Sequence, residues 1–180
     1  MINRQQAFVL IKKYLKDKDN IKIALAVERI MMKMAELLEK DEELWGLTGL
    51  LHNLDYEYCV DSPEDRGVLT DKVLDGLIPE NGVNAIKANN YMHIDYIPTT
   101  SLDKSLIAAV TGAGLIITVL RSISSKKISD VDLALVVVRF HDSNFASRYN
   151  RNRIYLCEDL GMQLEFFLDI CLNSIKEILD

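Results

Sequence analysis

Long stretches of this chain carry apolar residues every three or four positions, and little interrupts them. Between Ile21 and Glu39, for example, Ile23, Val27, Ile30, Met34 and Leu38 share one side of a helix. Only 8 glycines and 3 prolines occur in 180 residues, so breaking residues are scarce. That combination predicts an all-α protein. With 49% hydrophobic residues the chain can bury a substantial core. It reads as a single domain over residues 1–180, with no internal repeat, low-complexity segment or linker.

Local signals place the helices. A first helix is expected from about Arg4 to Lys16, capped by Asn3, with Phe8, Ile11 and Leu15 buried. Asn20 is expected to cap the helix Ile21–Glu39, and Asp41 the one carrying Trp45. Ser62-Pro63-Glu64-Asp65 reads as the start of a helix running to about Leu77. After the break at Pro79–Asn81 a shorter helix reaches about Asn90, and Tyr91–Thr100 is a loop. Ser101 is expected to cap the most apolar helix, Leu102–Ser122, in which Gly112 and Gly114 permit close contact or mark a kink. Further helices are expected at about Asp130–Phe140, Arg151–Leu160 and Gln163–Leu179, with Gly161 as a stop.

The net charge of −6, with a pI near 5.1, argues against a general nucleic-acid or anionic-membrane binder. The small basic groups, Lys126 with Lys127 and Arg148 with Arg151 and Arg153, read as solvated helix ends. The 3 cysteines lie far apart and form no CxxC pair, so a reducing, cytoplasmic compartment is expected. The N-terminus lacks the order of a secretion signal. The uncharged apolar runs Gly112–Leu120 and Leu133–Val138 fall short of the about 20 residues a bilayer span needs, which predicts a soluble protein without a membrane partner.

The segment with the densest chemistry is Trp45–Tyr58, WGLTGLLHNLDYEY. Leu47, Leu50, Leu51 and Leu54 face a core at helical spacing, and His52 and Asn53 sit within that run. Asp55 and Glu57 follow at once. Two readings stand side by side: a core histidine with one satisfied hydrogen bond, or the centre of a site. His141-Asp142 repeats the His-acid pairing at a helix end, where it reads as a cap or a contact with the helix dipole.

The order of segments resembles the HD-domain superfamily of metal-dependent phosphohydrolases. The resemblance rests on Gly49–Glu57, GLLHNLDYE, and on echoes elsewhere. These are Ala26-Val27-Glu28 with Met31 or Met32, Ser62-Pro63-Glu64, Ala85-Ile86-Lys87-Ala88, Ala108-Ala109 with Thr111-Gly112, Phe145-Ala146, and Cys157-Glu158-Asp159-Leu160-Gly161. It implies an HD-domain/phosphodiesterase-like helical bundle. It also implies a set of metal ligands, and there the chain departs from the family. Ile23 stands where the first histidine would be, Asn53 replaces the aspartate after His52, Arg66 and Asn89 stand at the two further histidine positions, and Val110 replaces the final aspartate.

A divalent cation in such a site lowers the pKa of bound water and neutralises phosphoryl oxygens. Holding one takes about three or more ligands. Ile and Val cannot ligate, Asn offers only a neutral oxygen, and Arg repels the ion. No cofactor is therefore expected; if one binds, it is a divalent metal (Mn, Fe, Ni, Zn or Mg), with His52 the remaining ligand. An apolar residue at each end of the pattern points to a pocket that has closed or turned oily. A relocated set of His52, His93, Asp55 and Asp65 is the competing arrangement, against His93 as a loop histidine near the surface.

Three functions follow. In the first, the fold has lost its metal, and His52, Asn53, Asp55, Arg66, Asn89, Asn90 and His93 line a polar pocket for an anionic small molecule. In the second, a rearranged site still hydrolyses nucleotide-like phosphate esters. In the third, the chain is an interaction module: the last helix, with Leu164, Phe166, Phe167, Leu168, Ile170, Cys171, Ile175 and Leu179, is apolar on more than one face, which suits deep burial or a homodimer.

Overall fold

In the computed structural model, residues Met1–Leu179 are described. They form nine α-helices and no β-strand. In chain order these are α1 (Arg4–Tyr14), α2 (Lys18–Leu37), α3 (Glu42–Leu51), α4 (Val68–Leu74), α5 (Glu80–Ala88), α6 (Ser101–Ser122), α7 (Leu133–His141), α8 (Arg151–Tyr155) and α9 (Leu164–Leu179).

Helix starts follow side-chain oxygens that reach the first free amides. Asn3 builds a capping box with Gln6 on α1, and Asp41 caps α3 through the Leu44 amide. Two expected caps move. Asp17, not Asn20, caps α2, accepting from the Asp19 amide. Thr100, not Ser101, caps α6 and forms a reciprocal box with Asp103. In both cases a competent cap lies just upstream and takes the role.

The largest departure from expectation lies between Ser62 and Leu77. Ser62 makes no capping bond, and Pro63–Asp65 is a single 3-10 turn. Gly67 then adopts φ +91, a left-handed conformation that an L side chain rarely tolerates, and α4 begins only after it. Similarly, the helix expected over Arg151–Leu160 is divided into α8 and a 3-10 turn at Glu158–Leu160 before Gly161, φ +78, stops it. The start expected near Asp130 is a 3-10 turn, and α7 is capped by Asp132.

α6 is the axis of the bundle. It packs against α2, α5, α7, α8 and α9, and most of its residues from Leu102 to Val119 are buried. By length and composition it could cross a membrane, which the shorter uncharged runs do not suggest; here its apolar faces are covered by the other helices. Gly112 lies against Cys171 and Phe167 of α9, and Gly114 against the Tyr149 ring, so the two glycines serve close contact within an unbroken helix. The several apolar faces of α9 are likewise occupied by α2, α6 and α7, with Phe166 left half-exposed. Met31 and Met34 fill the core, and the three cysteines are free and buried.

The most extensive helix pairing joins α2 and α3. A Cβ placed on Gly49 would lie 2.8 Å from the Val27 carbonyl oxygen and 3.0 Å from the Glu28 Cα. Those are backbone atoms and cannot swing aside. Gly49→Ala is therefore expected to destabilise the protein by about 1–3 kcal/mol despite the better helix propensity of alanine, read as a lower urea midpoint.

Candidate functional site

A cleft of about 1070 Å³ opens beside the C-terminal end of α3. Its walls come from the start of α2, the Asp55–Gly67 connection, the end of α5, the middle of α6 and the segment Arg148–Arg153. His52, Asn53, Asp55, Arg66, Asn89, Asn90 and His93 all line it, although they come from well-separated stretches of chain. Ile23 and Val110 line it too, both only half-buried. The pocket is apolar at these two positions and is open.

His52 ends α3, where its Nδ1 lies 2.7 Å from the Gly49 carbonyl oxygen. A carbonyl can only accept, so Nδ1 carries the proton and Nε2 keeps a bare lone pair. Burial pulls the ring down to about 4, so it is neutral at physiological pH. Asn53 is also buried. Its Nδ2 makes one long contact, 3.4 Å, to the Asn20 carbonyl, and its Oδ1 is buried with no partner among the described residues.

Other members of the set hold the wall together. Asp55 Oδ2 accepts from the amides of Gly67 at 2.7 Å and Thr70 at 3.2 Å, so it caps α4 from a distant part of the chain. Asn90 Nδ2 reaches the carbonyls of Pro63, Glu64 and Arg66, fastening the 3-10 turn to α5. Glu57 receives the amides of Lys16 and Asp17 and the Asn20 side chain, and these bonds hold its carboxyl below the usual range against the opposing effect of desolvation. His93 lies in the turns after α5 and is exposed at the rim.

The metal implied by the resemblance does not fit these residues. Among the described residues, no three His, Cys, Asp or Glu side chains gather where they could share an ion. The relocated set is not assembled either: Asp55 is engaged by two amides, and Asp65 and His93 are exposed.

Arginine is the residue type whose placement departs most from the sequence-based expectation. Arg148 is exposed, in a loop rather than at a helix end, while Arg151 and Arg153 are half-buried and not solvated. Arg153 is half-buried in the cleft, donating to Asn89 Oδ1 at 2.6 Å, the Asn89 carbonyl at 2.9 Å and Thr111 Oγ1 at 3.0 Å. Arg151 spreads its guanidinium over the carbonyls of Phe140, Phe145, Ala146 and Tyr149. That clasp shapes the loop that presents Arg148 and Tyr149 to the cleft. Arg66 keeps the position expected for it, with its guanidinium 4.7 Å from the Tyr56 ring centre and its buried Nε unpartnered. Arg148 and Arg153 lie similarly over Tyr149 and Tyr91, at 4.9 and 5.4 Å.

The chain matches no family model, no curated protein and no solved structure.

The neutral His52 makes stability depend on pH. Its folded pKa of about 4 lies below the ordinary 6.5, so the unfolded chain takes up the proton first as pH falls. The contribution is complete above pH 6.5 and is lost progressively towards pH 4, by roughly 3 kcal/mol. His52→Asn, which can keep a donor to the Gly49 carbonyl, is expected to flatten that part of a stability-against-pH curve measured by urea unfolding.

Proposed function

We propose that the chain is a divergent HD-type helical protein whose cleft binds an anionic small molecule without metal-dependent hydrolysis. The observation that carries this reading is the state of charge in the cleft. Arg66, Arg148 and Arg153 all face it, and among the described residues none has a carboxylate within ion-pair distance. The wall's acids are committed elsewhere: Asp17 caps α2, Asp19 pairs with Arg121, Asp55 caps α4, and Glu57 gathers backbone amides.

Arg66, lying over the Tyr56 ring, keeps its charge and makes no side-chain hydrogen bond among the described residues, while Arg148 and Arg153 donate to Thr118 and Tyr149 and to Asn89 and Thr111 and offer their remaining N–H groups. An anion with several acceptor oxygens would complete them with charge-assisted hydrogen bonds. Ile23 and Val110, where ligands would stand in the family, favour binding over hydrolysis, because neither can coordinate a cation.

Calorimetric titration with inorganic phosphate tests the reading. Binding is expected, weakening as salt is added, with Arg66→Gln and Arg148→Gln each costing about tenfold in affinity. Elemental analysis tests it from the other side. Stoichiometric Mn, Fe, Ni or Zn in the purified protein, lost in His52→Ala and accompanied by turnover of phosphate esters, would replace it with an active hydrolase using a rearranged site.

A further inference from the structure

We infer, building on the anion-binding reading above, that the His52–Asn53 floor of the cleft receives hydrogen-bond donors from the ligand, and that the ligand is a hydroxylated phosphate ester: a sugar or polyol phosphate. Two acceptors carry this. His52 Nε2 is unprotonated because Nδ1 holds the ring's only proton against Gly49. Asn53 Oδ1 is buried and has no donor. Its orientation is set by Nδ2, which must face the Asn20 carbonyl; turning the amide over would oppose two oxygens. Buried acceptors without donors are costly and are normally satisfied.

The cleft's remaining chemistry says what kind of donor fits. A metal is disfavoured by the missing ligands, and an ammonium group by the Arg66 charge in the same cleft. A hydroxyl is a neutral donor and meets neither objection. The carboxylates nearby are partly engaged, Asp55 Oδ2 by Gly67 and Thr70, Glu57 by Lys16 and Asp17. His52 Nε2 and Asn53 Oδ1 are two neutral acceptors there without a donor. The half-buried Ile23 and Val110 beside them offer an apolar surface to the C–H groups of a carbon skeleton. A phosphate monoester, carrying about −1.5 to −2 charge near neutral pH, answers the arginines. One molecule with phosphate at one end and hydroxyls at the other meets both halves of the cleft.

Calorimetric titration of the full chain tests this with glycerol 3-phosphate, ribose 5-phosphate and glucose 6-phosphate, each set against propyl phosphate, which has the charge and no hydroxyl. At least one hydroxylated ester is expected to bind about tenfold or more tighter than propyl phosphate. In Asn53→Ala that ratio is expected to shrink towards one. If no hydroxylated ester exceeds propyl phosphate, the inference is overturned and the anion site stands. If the ratio survives intact in a folded Asn53→Ala, the hydroxyls are read elsewhere and the inference is overturned as well. If no phosphate species binds at all, the anion-binding reading itself falls. The wild-type comparison decides the matter even where the variant does not fold.

Discussion

The close crossing of α2 and α3 is the constraint on which the other features depend. Gly49 lets α3 sit directly on the backbone of α2 near Val27. That contact determines where α3 ends and where the chain emerges from it. His52 and Asn53 therefore arrive beside Asn20 and Ile23, at the start of α2. The residues that follow are then within reach of distant amides. Asp55 finds the beginning of α4, and Glu57 finds the α1–α2 turn. A steric fact at one glycine thus propagates into hydrogen bonds at three helix ends.

The wall of the cleft divides its polar groups by task. Its carboxylates satisfy backbone amides or an arginine partner, which stabilises helix ends. Three of its guanidinium groups lie instead over tyrosine rings, an interaction that orients the cation while leaving its charge in place. Asn90 illustrates the same division from the neutral side. Its amide protons go to three carbonyls of one turn, which keeps the backbone around Arg66 in a single course.

How much of this is legible in the sequence depends on how local the cause is. Helices announce themselves because the periodicity of their apolar faces is written within each segment. Asn3 and Asp41 are readable as caps for the same reason. Asn20 and Ser101 mislead because a better-placed oxygen lies upstream, at Asp17 and Thr100. The boundary of α4 is hidden, since its capping carboxylate belongs to Asp55 and its entry turns on the positive φ of Gly67. Of the cleft, the seven residues from His52 to His93 stand out in the sequence, and they line the same cleft. Arg148 and Arg153 do not, because nothing near them in the chain shows that their loop folds back over α6.

Arg151 gives that loop an unusual character. Its single side chain collects carbonyl groups from Phe140, Phe145, Ala146 and Tyr149, so the segment between α7 and α8 is wound around a polar hub of its own. Ordinary surface loops owe their course to their ends or to what they lie upon. This one is organised from within by contacts to main-chain oxygens, which every residue type possesses. Residues at its outward-facing positions can therefore change freely while the path of the chain, and the placement of Arg148 and Tyr149, is retained. The loop can drift in sequence and keep its shape for as long as one arginine remains.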